Sequence, residues 1–209
     1  ACSDPRGMAL VANRFWVDIY FCNTNPEVNG TSKYNSDVAS GTVLPKKPTM
    51  FGGNGTATYA NLNGWTANEL ARAFGKRFMK ESEFVVAAFG VTEDQSLGGA
   101  ASTITNAIRQ AGYTSKWGLE QATGHHWTWG EDTSIRPTYA ADAWGWQDVN
   151  GDRGQRYLIN SLGESRILLG GARDNAAHSG SRAAFWYSCP WVSDWAIGLR
   201  AACDHLQLV

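Results

Sequence analysis

The sequence predicts an α+β fold with two helices, small twisted antiparallel sheets and much irregular loop. Three observations carry this. Helix start and stop signals sit close together between residues 66 and 90. Short runs of alternating or continuous apolar residues recur near both ends and in the middle of the chain. The 209 residues include 23 glycines and 10 tryptophans, a composition of loop-heavy chains whose irregular segments are anchored by aromatic rings.

Taken in order, Gly7 to Phe21 predicts a β-hairpin, with apolar runs on either side of Asn13-Arg14 and a second strand over Phe15–Tyr20. Asn23 to Tyr59 is polar and rich in Gly, Asn, Ser, Thr and Pro. It predicts a long loop carrying short strands, Lys33-Tyr34-Asn35 among them, and ordered by packing because unstructured loops of that length are uncommon. Thr66-Ala67-Asn68-Glu69 has the capping-box pattern; it opens a helix through Leu70–Phe74 that Gly75 closes. A second helix runs from Glu81 to a stop at Gly90, with Phe84, Ala87 and Ala88 on one face. Gly98 to Gly112 predicts loop with one short helical piece. Trp127-Thr128-Trp129 predicts a strand with both indoles on one face. Arg156–Leu162, Arg166–Gly170 and Leu206–Val209 complete the strands. No internal repeat or low-complexity tract is present.

The length fits one domain spanning residues 1–209. At 43% apolar and 18% charged residues, the chain can bury a core. A net charge of -1 argues against a nucleic-acid partner held by phosphate attraction. No apolar run reaches the length of a membrane span, and no signal-peptide pattern opens the chain at Ala1-Cys2-Ser3. Cys2, Cys22, Cys189 and Cys203 allow three full pairings; none lies in a Cys-x-x-Cys pair, so a structural zinc site is not expected. Buried thiols and a disulfide both stay open.

The richest chemistry lies in the last forty residues. Framework-like residues (Gly170, Gly171, Gly180, Ser181, Arg182, Ala183, Trp186, Gly198, Arg200, Asp204, His205) alternate there with side chains of no common character: Arg173, Asp174, Asn175, His178, Tyr187, Ser188, Trp191, Asp194 and Trp195. Mixed Tyr, Trp, Asn, Ser and Asp on a segment that must still fold describe a recognition surface on a rigid support. Trp127, Trp129 and Trp186 are expected in the core, and Arg182 and Arg200 are expected to pair with buried carbonyls or carboxylates. His125 and His126, adjacent on a strand, are expected to point to opposite faces rather than to share a metal. His205 is expected in a structural hydrogen bond. Asp148-Val149-Asn150-Gly151-Asp152 imitates the start of a calcium loop but lacks the glycine and glutamate of an EF-hand. A calcium ion near Asp148, Asn150 and Asp152 in a looser loop stays open; no other cofactor is expected. No catalytic serine elbow, phosphate loop or dinucleotide fingerprint is present.

Several stretches carry a resemblance. Gly75–Phe84 is similar to the helix-opening motif of C-type lectin folds of the formylglycine-generating-enzyme type. Gly118-Leu119 with His125-His126-Trp127-Thr128-Trp129 resembles their strand motif. Gly170-Gly171, Ser181-Arg182-Ala183 and Ile197-Gly198-Leu199-Arg200 resemble their closing motifs. Asp4–Met8, Phe15–Tyr20, Thr31–Asn35, Thr114–Gly118, Ser179–Ala183 and Cys203–Leu206 resemble one branch more closely: the phage receptor-binding tail-fibre tips diversified by a retroelement. The likeness covers nearly the whole chain. It implies a noncatalytic protein whose C-terminal segment varies. The implied ligand-binding positions are Ala172, Arg173, Asp174, Asn175, Ala176 and His178, then Phe185, Tyr187 and Ser188, then Trp191, Val192, Asp194, Trp195, Ala196 and Ile197.

It also implies a location on the virion tail fibre or on a cell surface, and a protein or glycan ligand on a host or target surface. A homo-oligomer stays open. The branch carries N-terminal β domains with no counterpart in these residues. In adenine-directed mutagenesis, Asn codons ending in a pyrimidine cannot become Lys, Glu, Gln or Met, and none of the four occurs from Ala172 to Leu199. The chain departs from the pattern at Arg173, where the family usually has Trp, and at His125-His126. Neither the close cysteine pair of the enzyme branch nor the sugar- and calcium-binding motifs of animal C-type lectins is present. The rival expectations are an oxidising enzyme of the formylglycine-generating type, which would need Cys189 and Cys203 as a reactive pair, and a structural virion subunit without a ligand.

Overall fold

The computed structural model describes Cys2 and residues 4–98, 105–136, 145–148, 155–158, 163–186 and 188–205. Its strands are β1 (Met8–Val11), β2 (Phe15–Asp18), β3 (Trp127–Arg136), β4 (Gly145–Asp148), β5 (Gln155–Leu158), β6 (Gly163–Leu169), β7 (Ala184–Phe185), β8 (Ile197–Gly198) and β9 (Ala202–Asp204). Its α-helices are α1 (Pro26–Asn29), α2 (Gly64–Ala73) and α3 (Glu81–Ala87). One sheet has the order β1-β2-β9, the other β4-β5-β7-β6-β3-β8.

The hairpin forms as expected, though its second strand stops at Asp18 rather than Tyr20. Ala12 and Asn13 both take left-handed φ, of 50° and 55°, which turns the chain between two right-twisted strands. β9 joins β2 antiparallel, pairing Trp16 with Cys203. Cys203 is disulfide-bonded to Cys2, 201 residues away, and Cys22 and Cys189 are free. His205 makes the structural bond expected of it, accepting the Trp16 indole N–H at 3.1 Å.

Both expected helices form. The first opens earlier than the sequence pattern implied: Asn63 is the N-cap, accepting the amides of Trp65 and Thr66, while the Thr66 hydroxyl accepts the Asn63 amide. Thr66 is thus the third helical residue of the box, not its cap. Ala67, Leu70 and Ala71 form the buried stripe, and Gly75 closes the helix with a φ of 65°. In α3, Glu83 accepts the Lys80 amide, and Phe84 with Ala87 and Ala88 turns inward. The polar stretch after the hairpin is not wholly loop: Pro26–Asn29 forms the additional one-turn helix α1. Lys33–Asn35 is not a strand; Tyr34 and Asn35 turn, with Asn35 at φ 53°, and pairing falls instead at Asp37, Val38 and Ser40. Between Gly98 and Gly112 the described residues are irregular until a 3-10 turn over Ala111–Tyr113. The strand expected at Leu206–Val209 lies outside the described residues, as does most of the calcium-like stretch; of it only the backbone of Asp148 is described, in β4.

The larger sheet has two apolar faces. On β6, Leu168 joins Trp127, Trp129 and the α2 residues Leu70 and Ala71 in one cluster, while Ile167 and Leu169 join Phe84 and Ala87 of α3 in another. The strand period of two thus divides the core between α2 and α3. Trp127 and Trp129 share a face, as expected; Trp186 is half-buried against the α3 cluster.

A buried ionic group forms around Asp18, the last residue of β2. Lys76 donates from Nζ to Asp18 Oδ1 and to the Thr31 hydroxyl, each at 2.5 Å. Arg200, fully buried, donates to the carbonyls of Asp18, Ile19, Glu120 and Gln121. Burial pushes the Asp18 carboxyl above its ordinary range, and Lys76 and Arg200 oppose that. Removing the ammonium leaves a buried carboxylate without its partner. Lys76→Met is therefore expected to cost about 3–5 kcal/mol in a urea unfolding titration. Arg6→Ala, which breaks an exposed pair with Asp4, should leave the unfolding midpoint in place.

Candidate functional site

The segment after β6 begins with a backbone constraint. Gly170 and Gly171 have φ of 96° and 87°, and a Cβ on Gly171 would lie 2.2 Å from the Ser179 hydroxyl. Only glycine lets the chain fold back so closely. A 3-10 turn, Ala176–His178, follows, and Asn175 Oδ1 accepts the Ala172 amide at 2.8 Å. β7 then pairs with β6 and β5.

From Ser188 to Ala196 the chain is an irregular loop held largely through main-chain atoms. The Ser188 carbonyl accepts the Arg166 amide, the Pro190 carbonyl the Gly64 amide, the Asp194 carbonyl the Gly41 amide and the Ala196 carbonyl the Trp127 amide, at 2.7–2.9 Å. At Gly41 the two segments touch so closely that a Cβ would lie 2.2 Å from the Asp194 amide nitrogen. Two side chains in the segment also do local work: Ser193 Oγ accepts the Leu62 amide, and Asp194 Oδ1 accepts the Ala196 amide at 2.8 Å.

These loops enclose an open groove of about 550 Å³. It draws together eight of the positions that the resemblance implied: Asp174, Asn175, Phe185, Ser188, Trp191, Val192, Asp194 and Trp195. Ala196 and Ile197 also border it, although both are buried in the α2 cluster. Arg173, Asp174 and Ala176 border a smaller neighbouring hollow with Asp94, Gln95 and Ser96, and His178 lies in neither. Ala172 and Arg173 are buried, as are Ser188, Ala196 and Ile197. Ala172 is fully buried in the core, where its small volume is the constraint. Arg173, only 6% exposed, lies with its guanidinium 5.3 Å from the Trp195 ring centroid. It packs beneath the surface, which is where the chain departs from the family's tryptophan. Tyr187 lies outside the described residues.

Sequence reasoning missed four neighbours. Trp127, Leu168 and Cys189 line the groove, and Trp65 on α2 stacks against Trp191 at 6.2 Å. Trp65 was findable: it falls off the Ala67, Leu70, Ala71 stripe and so has no inward role. The cysteines also fall differently from the enzyme alternative. Cys203 bonds Cys2, so it does not pair with Cys189.

The adjacent histidines do not diverge. They precede β3, and the Nδ1 atoms of His125 and His126 meet at 2.9 Å, with Phe21 against both rings. Among the described residues no three His, Cys, Asp or Glu side chains gather as a metal site. Arg200 keeps its expected pairing with carbonyls, whereas Arg182 leaves its buried Nε without a hydrogen bond among the described residues.

With this geometry in place the chain can be classed: it has a C-type lectin fold whose exposed groove is built from loops. No protein-family model matches it. It is 40% identical over 222 aligned residues to the tail fiber receptor-binding protein of Bordetella phage BPP-1, an alignment covering 100% of this chain and 54% of that protein. Among solved structures it matches the M1 variant of the major tropism determinant with a TM-score of 0.81 and 41% identity, and the P3c variant with 0.80 and 42%. Each match covers 100% of this chain and 55% of the other. The chain is a homologue of the major tropism determinants along its whole length, and it spans about half the length of these relatives.

Burial pushes the His126 imidazole well below its ordinary range, and His125 and Arg173 add to the effect. In the unfolded chain the ring takes its proton near its usual pKa of about 6.5. The stability that His126 contributes is therefore complete above about pH 6.5 and lost as pH falls below it, by at most about 1.4 kcal/mol per pH unit for one proton. Thermal melting from pH 8 down to about pH 5 should show this decline, and His126→Asn should flatten it.

Proposed function

We propose that this chain is a single-domain variable receptor-binding module of a phage tail fibre, diversified by a retroelement and noncatalytic. Its groove would bind a ligand on a host surface. One observation supports the reading above others: the loop that carries Trp191, Val192, Asp194 and Trp195 is fixed by main-chain bonds to Arg166, Gly64, Gly41 and Trp127. Main-chain bonds survive most side-chain replacements, so the displayed residues can change while the support stays. The relatives are named for receptor binding and tropism rather than for a reaction, which supports a binding role and a place on the virion. No helix among the described residues is long and apolar enough to cross a membrane. Affinity per copy need not be high if several copies are displayed together.

Replacing Asp174, Trp191 and Asp194 together with Ala should abolish adsorption of virions or coated beads to the host. The same variant should stay folded and melt about 2–4 °C below the parent, the loss expected for the one hydrogen bond that Asp194 gives up to the Ala196 amide. Adsorption that persists would sink the assignment. At the DNA level, an imperfect repeat of the 3′ coding end, differing at adenines and lying beside a reverse transcriptase gene, is expected; a genome without one removes the retroelement.

A further inference from the structure

The groove carries charge of one sign. Asp174 and Asp194 are charged side chains on its lining, and no basic side chain lines it among the described residues. The chain as a whole is almost balanced, with 18 basic and 19 acidic residues, so this bias is local. Asp194 is fixed in place by its bond to the Ala196 amide. Around the carboxylates stand indoles. Trp191 is 55% exposed, and so is Trp65, which meets it at 37° between ring planes from outside the diversified segment. Apolar faces of that size left in water regain burial energy from a partner. The protein itself shows which charged group suits its rings: Arg173 lies over Trp195, Arg166 over Phe78 and Arg200 over Phe21, at 5.3, 5.5 and 4.4 Å.

We infer that the groove takes a cationic side chain, arginine or lysine, presented by a protein ligand. It would lie against the indole faces of Trp191 and Trp195, beside the carboxylates of Asp174 and Asp194, with Trp65 extending the aromatic wall. This rests on the recognition role proposed above and names the chemistry of its ligand. Cation–π attraction and two carboxylates act on the same group, and both strengthen in a partly desolvated groove. A neutral glycan stacks on the same indoles but brings no charge to the carboxylates, of which Asp174 already interacts with the Arg173 guanidinium.

The test uses the 209-residue chain with nitrogen-labelled tryptophan, titrated with N-acetyl-argininamide, N-acetyl-lysinamide, the uncharged N-acetyl-norleucinamide and a methyl galactoside. The two cationic probes are expected to shift the Trp191, Trp195 and Trp65 indole resonances, and their affinity to fall several-fold from about 20 to about 200 mM salt. Asp174→Asn with Asp194→Asn, which retains the oxygen that accepts the Ala196 amide, should weaken them about tenfold or more at unchanged melting temperature. Equal binding of the norleucine probe, or binding of the galactoside alone, overturns the cation assignment. So does silence from every probe while the Asp174, Trp191 and Asp194 alanine variant still loses host adsorption; the recognition surface then stands without it. If that variant adsorbs normally, the surface itself is wrong and the cation assignment falls with it.

Discussion

The guanidinium of Arg200 joins parts of the chain that are far apart in sequence. It is fully buried, lies 4.4 Å from the Phe21 ring centroid, and donates to carbonyls at Asp18 and Ile19, where the first sheet ends, and at Glu120 and Gln121, ahead of β3. The Ile19 carbonyl also accepts the Glu120 amide at 2.9 Å, so main chain and guanidinium together tie the two segments. Burial lowers the Arg200 pKa to about 10, with Asp18 and Glu120 acting against the drop, so it stays charged at neutral pH. Arg200 lies three residues after the groove-lining Ile197, so the same contact also anchors the chain just past the groove.

A division of labour follows from this arrangement. Side chains such as Arg200, Lys76 and Asp18 hold the framework, and the recognition loops are tied to it mostly by amides and carbonyls. Main-chain bonds are indifferent to side-chain identity, which lets an exposed loop be rigid and changeable at once. The exceptions mark the limits of that freedom. Asn175, Ser193 and Asp194 each accept a backbone amide through the side chain, and Arg173 packs against Trp195. At these places display and support are carried by one residue.

Much of the fold was legible in the sequence where local signals sufficed. The hairpin, both longer helices and the shared face of Trp127 and Trp129 followed from period, caps and turn residues. The errors have physical sources. Asn63 won the cap from Thr66 because Asn is the stronger N-cap and Thr serves well as the reciprocal partner. Lys33–Asn35 turned because Asn35 accepts a left-handed φ. His125 and His126 converged because they precede the strand whose alternation was assumed for them. Of the groove, Asp174, Trp191, Asp194 and Trp195 had been singled out by their mixed chemistry, while buried Ala172 and Arg173 were not separable from them along a line of sequence.

By itself the sequence determined the hairpin, the two longer helices, the resemblance to a lectin-like scaffold and the segment of mixed chemistry near the C-terminus. Those are properties of neighbours along the chain, set by spacing and composition. Tertiary structure alone decided that Cys203 meets Cys2, that Trp65 stands beside Trp191, and which positions between Ala172 and Ile197 face a groove rather than the core. Such outcomes depend on how separate segments cross one another, and a loop without a period carries no local sign of which side will be covered.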